Sequence, residues 1–266
     1  MLLLLFVQVK AQVRDSIYIT YGELLGDIWE GLNWPDKRYC DTCYYPCELD
    51  KIVELRFEQS SPQEEEILLT ILPQLTELRV VNIWHIPTRY IEFFQELEKL
   101  DKLEYVAFRC FPYNDIDDLD FPFMVKKLKN IKYLSITSCR LSTIPPEIGE
   151  LTKLEQLSFM DNDFTEFPKE LGNLLNLKVL RVGVRSSISE RYTSRVRHIS
   201  ESVLTLPNLE ELTILSIGLR EIPCELMNMP KLKKVSLSKS EYIKEIPECI
   251  NKNKFEYFSI CYLSMW

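Results

Sequence analysis

Apolar and polar positions along this chain follow a frame that repeats as a block. Two consecutive segments, LKNIKYLSITSCRLSTIPPEIGE from Leu128 and LTKLEQLSFMDNDFTEFPKELGN from Leu151, match apolar position for apolar position. The shared frame is L-x-x-L-x-L-x-x-N/C-x-L-x-x-I/F-P. Its opening triplet recurs downstream as Leu177, Leu180, Val182, then Leu209, Leu212, Ile214, then Leu232, Val235, Leu237, and Phe255, Phe258, Ile260. Upstream it reads Ile52, Leu55, Phe57, then Leu75, Leu78, Val80, and Leu103, Val106, Phe108. The steps between first positions are 23, 28, 28, 23, 23, 32, 23 and 23 residues, which predicts about nine turns of one coil.

The last two apolar positions of each triplet lie two apart, so on a strand they share one face and the residue between them takes the other. One coil cannot cover its own apolar side, so the next coil must stack on it, at roughly 1.5 to 3 kcal/mol per fully buried large aliphatic side chain. Pro145, Pro168, Pro223 and Pro247 fix φ and lack an N–H, which suits a bend and the start of the return segment. Asn162 stands where a buried amide can bond the turns of neighbouring coils, a task that Cys139 and Ile217 at the same slot perform weakly or not at all. Cys139 reads there as a small buried hydrophobe. QEEEILLTILPQL and TRYIEFFQELEKL place apolar residues at helical spacing behind acidic first turns, which predicts helices in the return segments there. The 23-residue units leave room only for extended or 3₁₀ segments.

IPPEIGELTKL from Ile144 and FPKELGNLLNL from Phe167 resemble the leucine-rich repeat family, in the class whose second half reads IPxxIGxLxxL. The resemblance runs from about residue 50 to 266. It implies an α/β solenoid: a curved right-handed coil with a parallel sheet on its concave face, helices and 3₁₀ or extended segments on its convex face, and binding of other macromolecules as the usual employment.

The chain divides on this reading into residues 1–11, a signal-peptide remnant; 12–51, an N-terminal capping region; and 52–266, the repeats. MLLLLFVQVKAQ carries a short apolar run and small residues at Val9 and Ala11, where a signal peptidase would read, though without a basic n-region. It resembles the export signals of Bacteroidetes-type bacteria. Export to periplasm, cell surface or medium is the expectation, with a cytoplasmic chain as the alternative. Three of the eight cysteines, Cys40, Cys43 and Cys47, cluster directly before the first repeat. In an exported chain they are disulfide candidates that would seal the first coil, while free thiols or a metal site remain the readings for a reducing compartment.

With 266 residues, 46% of them apolar and 27% charged, the composition is that of a chain able to bury a substantial core. The net charge of −8 argues against general nucleic-acid binding. No apolar run approaches the roughly 18 residues of a membrane span. The sequence has two histidines and none of HExxH, GxSxG or GxxxxGK[ST], so no catalytic residue, metal ligand or cofactor is assigned. The acidic run Asp115, Asp117, Asp118, Asp120 lacks an EF-hand pattern and reads as a solvated loop.

A non-enzymatic binding module for a protein or peptide partner is therefore the expected function. The register of the strands names the outward positions. Tyr105, Arg109, Tyr133, Met160, Val179, Arg181 and Leu215 form a central patch of aromatic, apolar and arginine residues, the composition of a binding surface. The 32-residue coil holds a second candidate, VRSSISERYTSRVRHISES, in which Arg191, Arg195 and Arg197 could steer or clamp an anionic partner. Alternatives are a structural component that assembles through its C-terminal end, where Tyr257, Tyr262 and Trp266 stand, and a cytosolic signalling scaffold.

Overall fold

The computed structural model describes residues 16–19, 54–57, 62–84, 86–110, 120–183, 196–216, 218–239 and 242–262. The N-terminal segment 1–11, Cys40, Cys43, Cys47, Asp115, Asp117, Asp118, Arg191 and Arg195 lie outside them. The chain forms two compact units, Met1–Leu103 and Glu104–Trp266.

In the first unit the strands β1 (Ser16–Ile19), β2 (Glu54–Phe57) and β3 (Val80–Ile83) pair in parallel in that order. Strand β1 lies within the 12–51 stretch read as a cap. Helices α1 (Pro62–Ile71) and α2 (Tyr90–Leu97) form where the helical spacing and acidic first turns predict them. Glu65 of α1 is almost wholly buried and ties α1 to the turn ahead of α2: its carboxylate accepts from the Thr88 N–H at 2.9 Å, the Thr88 hydroxyl at 2.5 Å and the Arg89 N–H at 3.4 Å.

The register of β3 differs from the sequence reading. Leu55 pairs with Val81 and Phe57 with Ile83, so the triplet is Leu78, Val81, Ile83 and the coil spans 26 residues, not 23; the step to Leu103 shortens from 28 to 25. Val81, which a triplet ending at Val80 would turn outward, is fully buried, and Val80 and Asn82 face out. Leu72, Leu75 and Leu78 are all fully buried, so the segment offers two superimposed leucine frames three residues apart. The strand takes the frame whose next two apolar residues, Val81 and Ile83, are β-branched.

The second unit contains β4 (Tyr105–Arg109), β5 (Tyr133–Thr137), β6 (Gln156–Met160), β7 (Val179–Gly183), β8 (Glu211–Leu215), β9 (Lys234–Lys239) and β10 (Tyr257–Tyr262), each parallel to the next. Every inward pair of the predicted triplets from Val106 to Leu237 is at most 2% exposed. Pro145, Pro168 and Pro223 have φ of −70°, −68° and −71°, and each immediately precedes a 3₁₀ helix, Pro146–Glu150, Lys169–Asn173 and Cys224–Asn228. Two of the longer coils hold short helices that the pattern does not predict, α3 (Phe121–Lys126) and α4 (Glu201–Leu204). Asp120, the last of the acidic run, starts α3 by accepting the Phe123 N–H at 2.9 Å.

Where the chain turns after a strand, stacked coils are tied to one another by three different chemistries. Asn162, 1% exposed, uses its whole amide: Oδ1 accepts the Cys139 and Leu141 N–H groups at 3.2 Å each, and Nδ2 donates to the Ile136 and Met160 carbonyls at 2.8 and 3.1 Å. Two coils on, hydroxyls serve instead. Ser216 Oγ donates to the Val196 carbonyl at 2.9 Å and Ser238 Oγ to the Ser216 carbonyl at 2.5 Å. The third chemistry corrects the reading of Cys139 as a mere buried hydrophobe. Cys139 is buried, but it is bridged to Cys110 of the preceding coil, so a covalent link stands where an asparagine would hydrogen-bond. A second bridge joins Cys224 to Cys249. With separations of 29 and 25 residues, each bridge restricts the unfolded chain by about 3–4 kcal/mol on loop-entropy grounds.

Asn162→Leu would leave the Cys139 and Leu141 N–H groups buried without their acceptor, at roughly 1–3 kcal/mol per group. The expected loss is about 2–4 kcal/mol in urea unfolding of the full chain, and an unchanged midpoint would show that the amide does not hold the stack.

Candidate binding face

The alternation of each strand leaves one face of the second unit's sheet uncovered by its own core. Its first column is Tyr105, Tyr133, Gln156, Val179, Glu211, Lys234 and Tyr257, neighbours strand by strand in the ladder. The second column is Ala107, Ser135, Ser158, Arg181, Thr213, Ser236 and Ser259. Because parallel strands repeat at about 4.8 Å, identical residues at matched positions fall into contact. Tyr105 and Tyr133 are such a pair: their rings lie parallel within 8° with centroids 4.0 Å apart. Both residues are half-buried, and the floor beside them is made of Ala107 and Ser135.

Two strands further on, Arg181 reaches across to Glu211, with Nε and Nη2 each 2.9 Å from Oε1. Glu211 is the residue that the sequence reading left out of the patch. Its adjacency to Arg181 is legible once the columns are set side by side. Val179 is half-buried between Gln156 and Glu211. Arg109 lies opposite Thr137 and Leu215 opposite Gly183, both half-exposed at the C-terminal ends of their strands. Arg197, in the described end of the Arg-rich insertion, is exposed, and its carbonyl accepts the Arg220 N–H.

Met160 departs from its assignment. It is only 6% exposed, and its register partner Gly183 and the equivalent Thr137 are buried too. The reason is in the backbone. Ser138 and Asp161, the residues following β5 and β6, take φ of 58° and 57°, and Gly183 itself has φ of 131°. Extended alternation therefore ends one residue sooner than the sequence suggests, and the last strand residue turns in. At Gly183 a side chain would meet the Leu215 carbonyl oxygen at 2.2 Å, so glycine is required there on both grounds.

The edge from which the strands start carries an alternating file of charges: Glu104, Lys132, Glu155, Lys178, Glu210, Lys233, Glu256. Lys132 bonds Glu104 at 2.7 Å, Lys178 bonds Glu155 at 2.7 Å and Lys233 bonds Glu210 at 2.9 Å. The hydrogen bond and charge of Lys233, with help from Lys178 and Lys231, hold the Glu210 carboxyl below its ordinary range, and Glu210 in turn raises Lys233. These are surface pairs in water, so they contribute to register and local neutrality far more than to stability.

Other surroundings offer less. A groove on the return side between Lys169–Asn173 and α4 is lined by Phe167, Ser200 and Ser202 among others, and its two serine hydroxyls bond each other at 2.7 Å. Among the described residues no group of three or more His, Cys, Asp or Glu side chains could hold a metal ion, and no helix is long and apolar enough to cross a membrane.

A parallel strand per coil, a 3₁₀ or helical return, and an amide at the turn define a repeat protein of the solenoid class. Residues 47–266 match the family described as "Leucine-rich repeat region", and the chain belongs to the leucine-rich repeat family. Among solved structures it is similar to internalin C2 of Listeria monocytogenes strain 4b F2365, with a TM-score of 0.51 and 18% identity over 72% of this chain and 74% of that one. A leucine-rich repeat protein of Leptospira interrogans matches with a TM-score of 0.44 and 21% identity over 73% and 51%. Among curated proteins, the adenylate cyclase of Schizosaccharomyces pombe is 29% identical over 120 residues, 45% of this chain. The chain spans 7% of that protein's length.

The signs of the two shifts fix a pH window for the charge file. The Glu210 contribution is present above the ordinary carboxylate range and is lost as pH falls through its lowered folded value. That of Lys233 is present below the ordinary lysine range and is lost as pH rises through its raised folded value. The pair is thus intact across neutral pH. Carbon-detected NMR titration should place Glu210 below ordinary surface glutamates, and Lys233→Met should bring it back up; an unmoved titration would mean that the pair does not form in solution.

Proposed function

We propose that this protein is a non-enzymatic binding module that takes a protein or peptide partner on the open face of β4 to β8. The observation that carries the reading is the Tyr105–Tyr133 stack. Two tyrosines held against each other present a large amphipathic contact whose rotamers are already restricted, so little side-chain entropy is lost on association. Ala107 and Ser135 leave the floor beside the stack low. Arg181, steadied by Glu211, offers donors to a partner's carbonyl or carboxylate groups, and Arg109, Val179 and Leu215 extend the patch. Met160 is dropped from the contact set. Arg191, Arg195 and Arg197 add a basic segment that would steer an anionic region of the partner toward an otherwise acidic chain.

Export fits this reading. Two cystine bridges between successive coils suit an oxidising compartment, as does the N-terminal apolar run. A structural role in a homo-oligomer is supported by one observation: Tyr257, 52% exposed, sits on the same open face at β10. Concentration-dependent light scattering tests it, and a monomer at all concentrations would exclude it.

The main reading is tested by affinity capture from source extracts. Full-length bait is compared with a Tyr105→Ala, Tyr133→Ala, Arg181→Glu variant and with an Arg191→Glu, Arg195→Glu, Arg197→Glu variant, all matched by circular dichroism. The first variant should lose its partner by on the order of a hundredfold in affinity, as expected for central aromatic and arginine anchors. The second should show a smaller loss that grows at low salt. Equal capture by the parent and the first variant would remove the face from the account.

A further inference from the structure

The two cystine bridges sit in opposite surroundings. Cys110 and Cys139 are 1% and 0% exposed, inside the stack. Cys224 and Cys249 are both exposed. Cys224 opens the 3₁₀ helix Cys224–Asn228 behind Pro223, and Cys249 stands in the turn two residues after Pro247, so this bridge ties the return segments of successive coils at the surface. We propose that Cys224–Cys249 is a thiol-exchangeable latch on the last coils, opened by a small dithiol, whereas Cys110–Cys139 is a permanent link of the core.

Exchange needs in-line approach of a thiolate to a bridge sulfur, which exposure permits at one site and burial forbids at the other. One thiolate of the dithiol attacks either sulfur, the S–S bond breaks, and the departing cysteine leaves as a thiolate that takes a proton from water. The second thiolate of the dithiol then displaces the remaining cysteine from the mixed disulfide. The bridge has gained two electrons and two protons, and the dithiol has become a cyclic disulfide. What the latch controls follows from the other ties at this end. The Lys254 ammonium donates to the carbonyls of Leu226, Met227 and Met229 at 3.1, 2.7 and 2.9 Å, fastening the last coil to the same 3₁₀ helix from its far end. Strand β10 remains paired with β9 along six positions. Between Lys239 and Lys254 only Ile243 and Ile250 among the described residues are buried, so the returning segment depends on few apolar contacts once the bridge opens. Reduction should therefore loosen residues 242–256 without unfolding the unit, while β10 stays paired with β9.

The test uses the full chain under native conditions with graded dithiothreitol, N-ethylmaleimide trapping, peptide mapping and amide hydrogen exchange; no binding partner is involved, so it is independent of the reading above. Cys224 and Cys249 should be trapped at reductant levels that leave Cys110 and Cys139 bridged, with exchange in 242–256 faster by on the order of ten- to a hundredfold and unchanged in 131–183. Cys224→Ser with Cys249→Ser should reproduce that exchange pattern without reductant. The proposal is overturned if the two bridges open together, if Cys224 and Cys249 are trapped without reductant, or if exchange in 242–256 is the same before and after reduction.

Discussion

Everything in this molecule rests on the turn that follows each strand. A stacked coil buries the backbone N–H and C=O groups of that turn against its neighbour, where water cannot reach them, so each coil must bring a group that satisfies them. Asn162 does so with four hydrogen bonds from one amide. Ser216 and Ser238 do so with single hydroxyls, and the Cys110–Cys139 bridge replaces the hydrogen-bonded tie with a covalent one. The turns tolerate different residues, at the Asn162 slot or one or two positions before it, because what they demand is a tie between coils and not one side chain.

With the turns satisfied, the apolar triplets stack and the strands come into parallel register. That register then dictates the surface. Residues at the same position of the frame form files that run from strand to strand within a unit, and a file is a one-dimensional array with a fixed neighbour distance. Alternating glutamate and lysine in one file cancels its own field pair by pair. Two like aromatic residues in another are driven into a stack. The same geometry yields paired charges at one edge and a stacked aromatic pair on the face.

How much of this was legible follows from what a single period can encode. The inward residues of the second unit, the 3₁₀ returns behind Pro145, Pro168 and Pro223, and the amide role of Asn162 are all direct consequences of position within the frame, and the structure agrees. Two frames three residues apart fit the segment from Leu72 to Val81 equally well in hydrophobicity, and only strand pairing chooses between them. Met160 was misplaced because the left-handed φ of Asp161 is invisible to an alternation rule. Cys110 sits one position off the slot that Cys139 occupies, so the frame does not pair them; the bridge is a matter of three-dimensional proximity. Helix α3 depends on the Asp120 cap, a local signal that was absorbed into an acidic run.

Function is proposed on the open face by elimination as much as by composition. Inward strand positions are consumed by the stack, the last strand residues of β5, β6 and β7 are turned in, and the file at the starting edge is paired with itself. What remains most open to variation is the two outward columns, apart from the buried Ser158. In a scaffold where most inward positions answer to the core, the outward residues are the ones exposed to a partner. Tyr105 and Tyr133 are the largest side chains in those columns between β4 and β8, and this outward aromatic pair is what supports the proposed partner site.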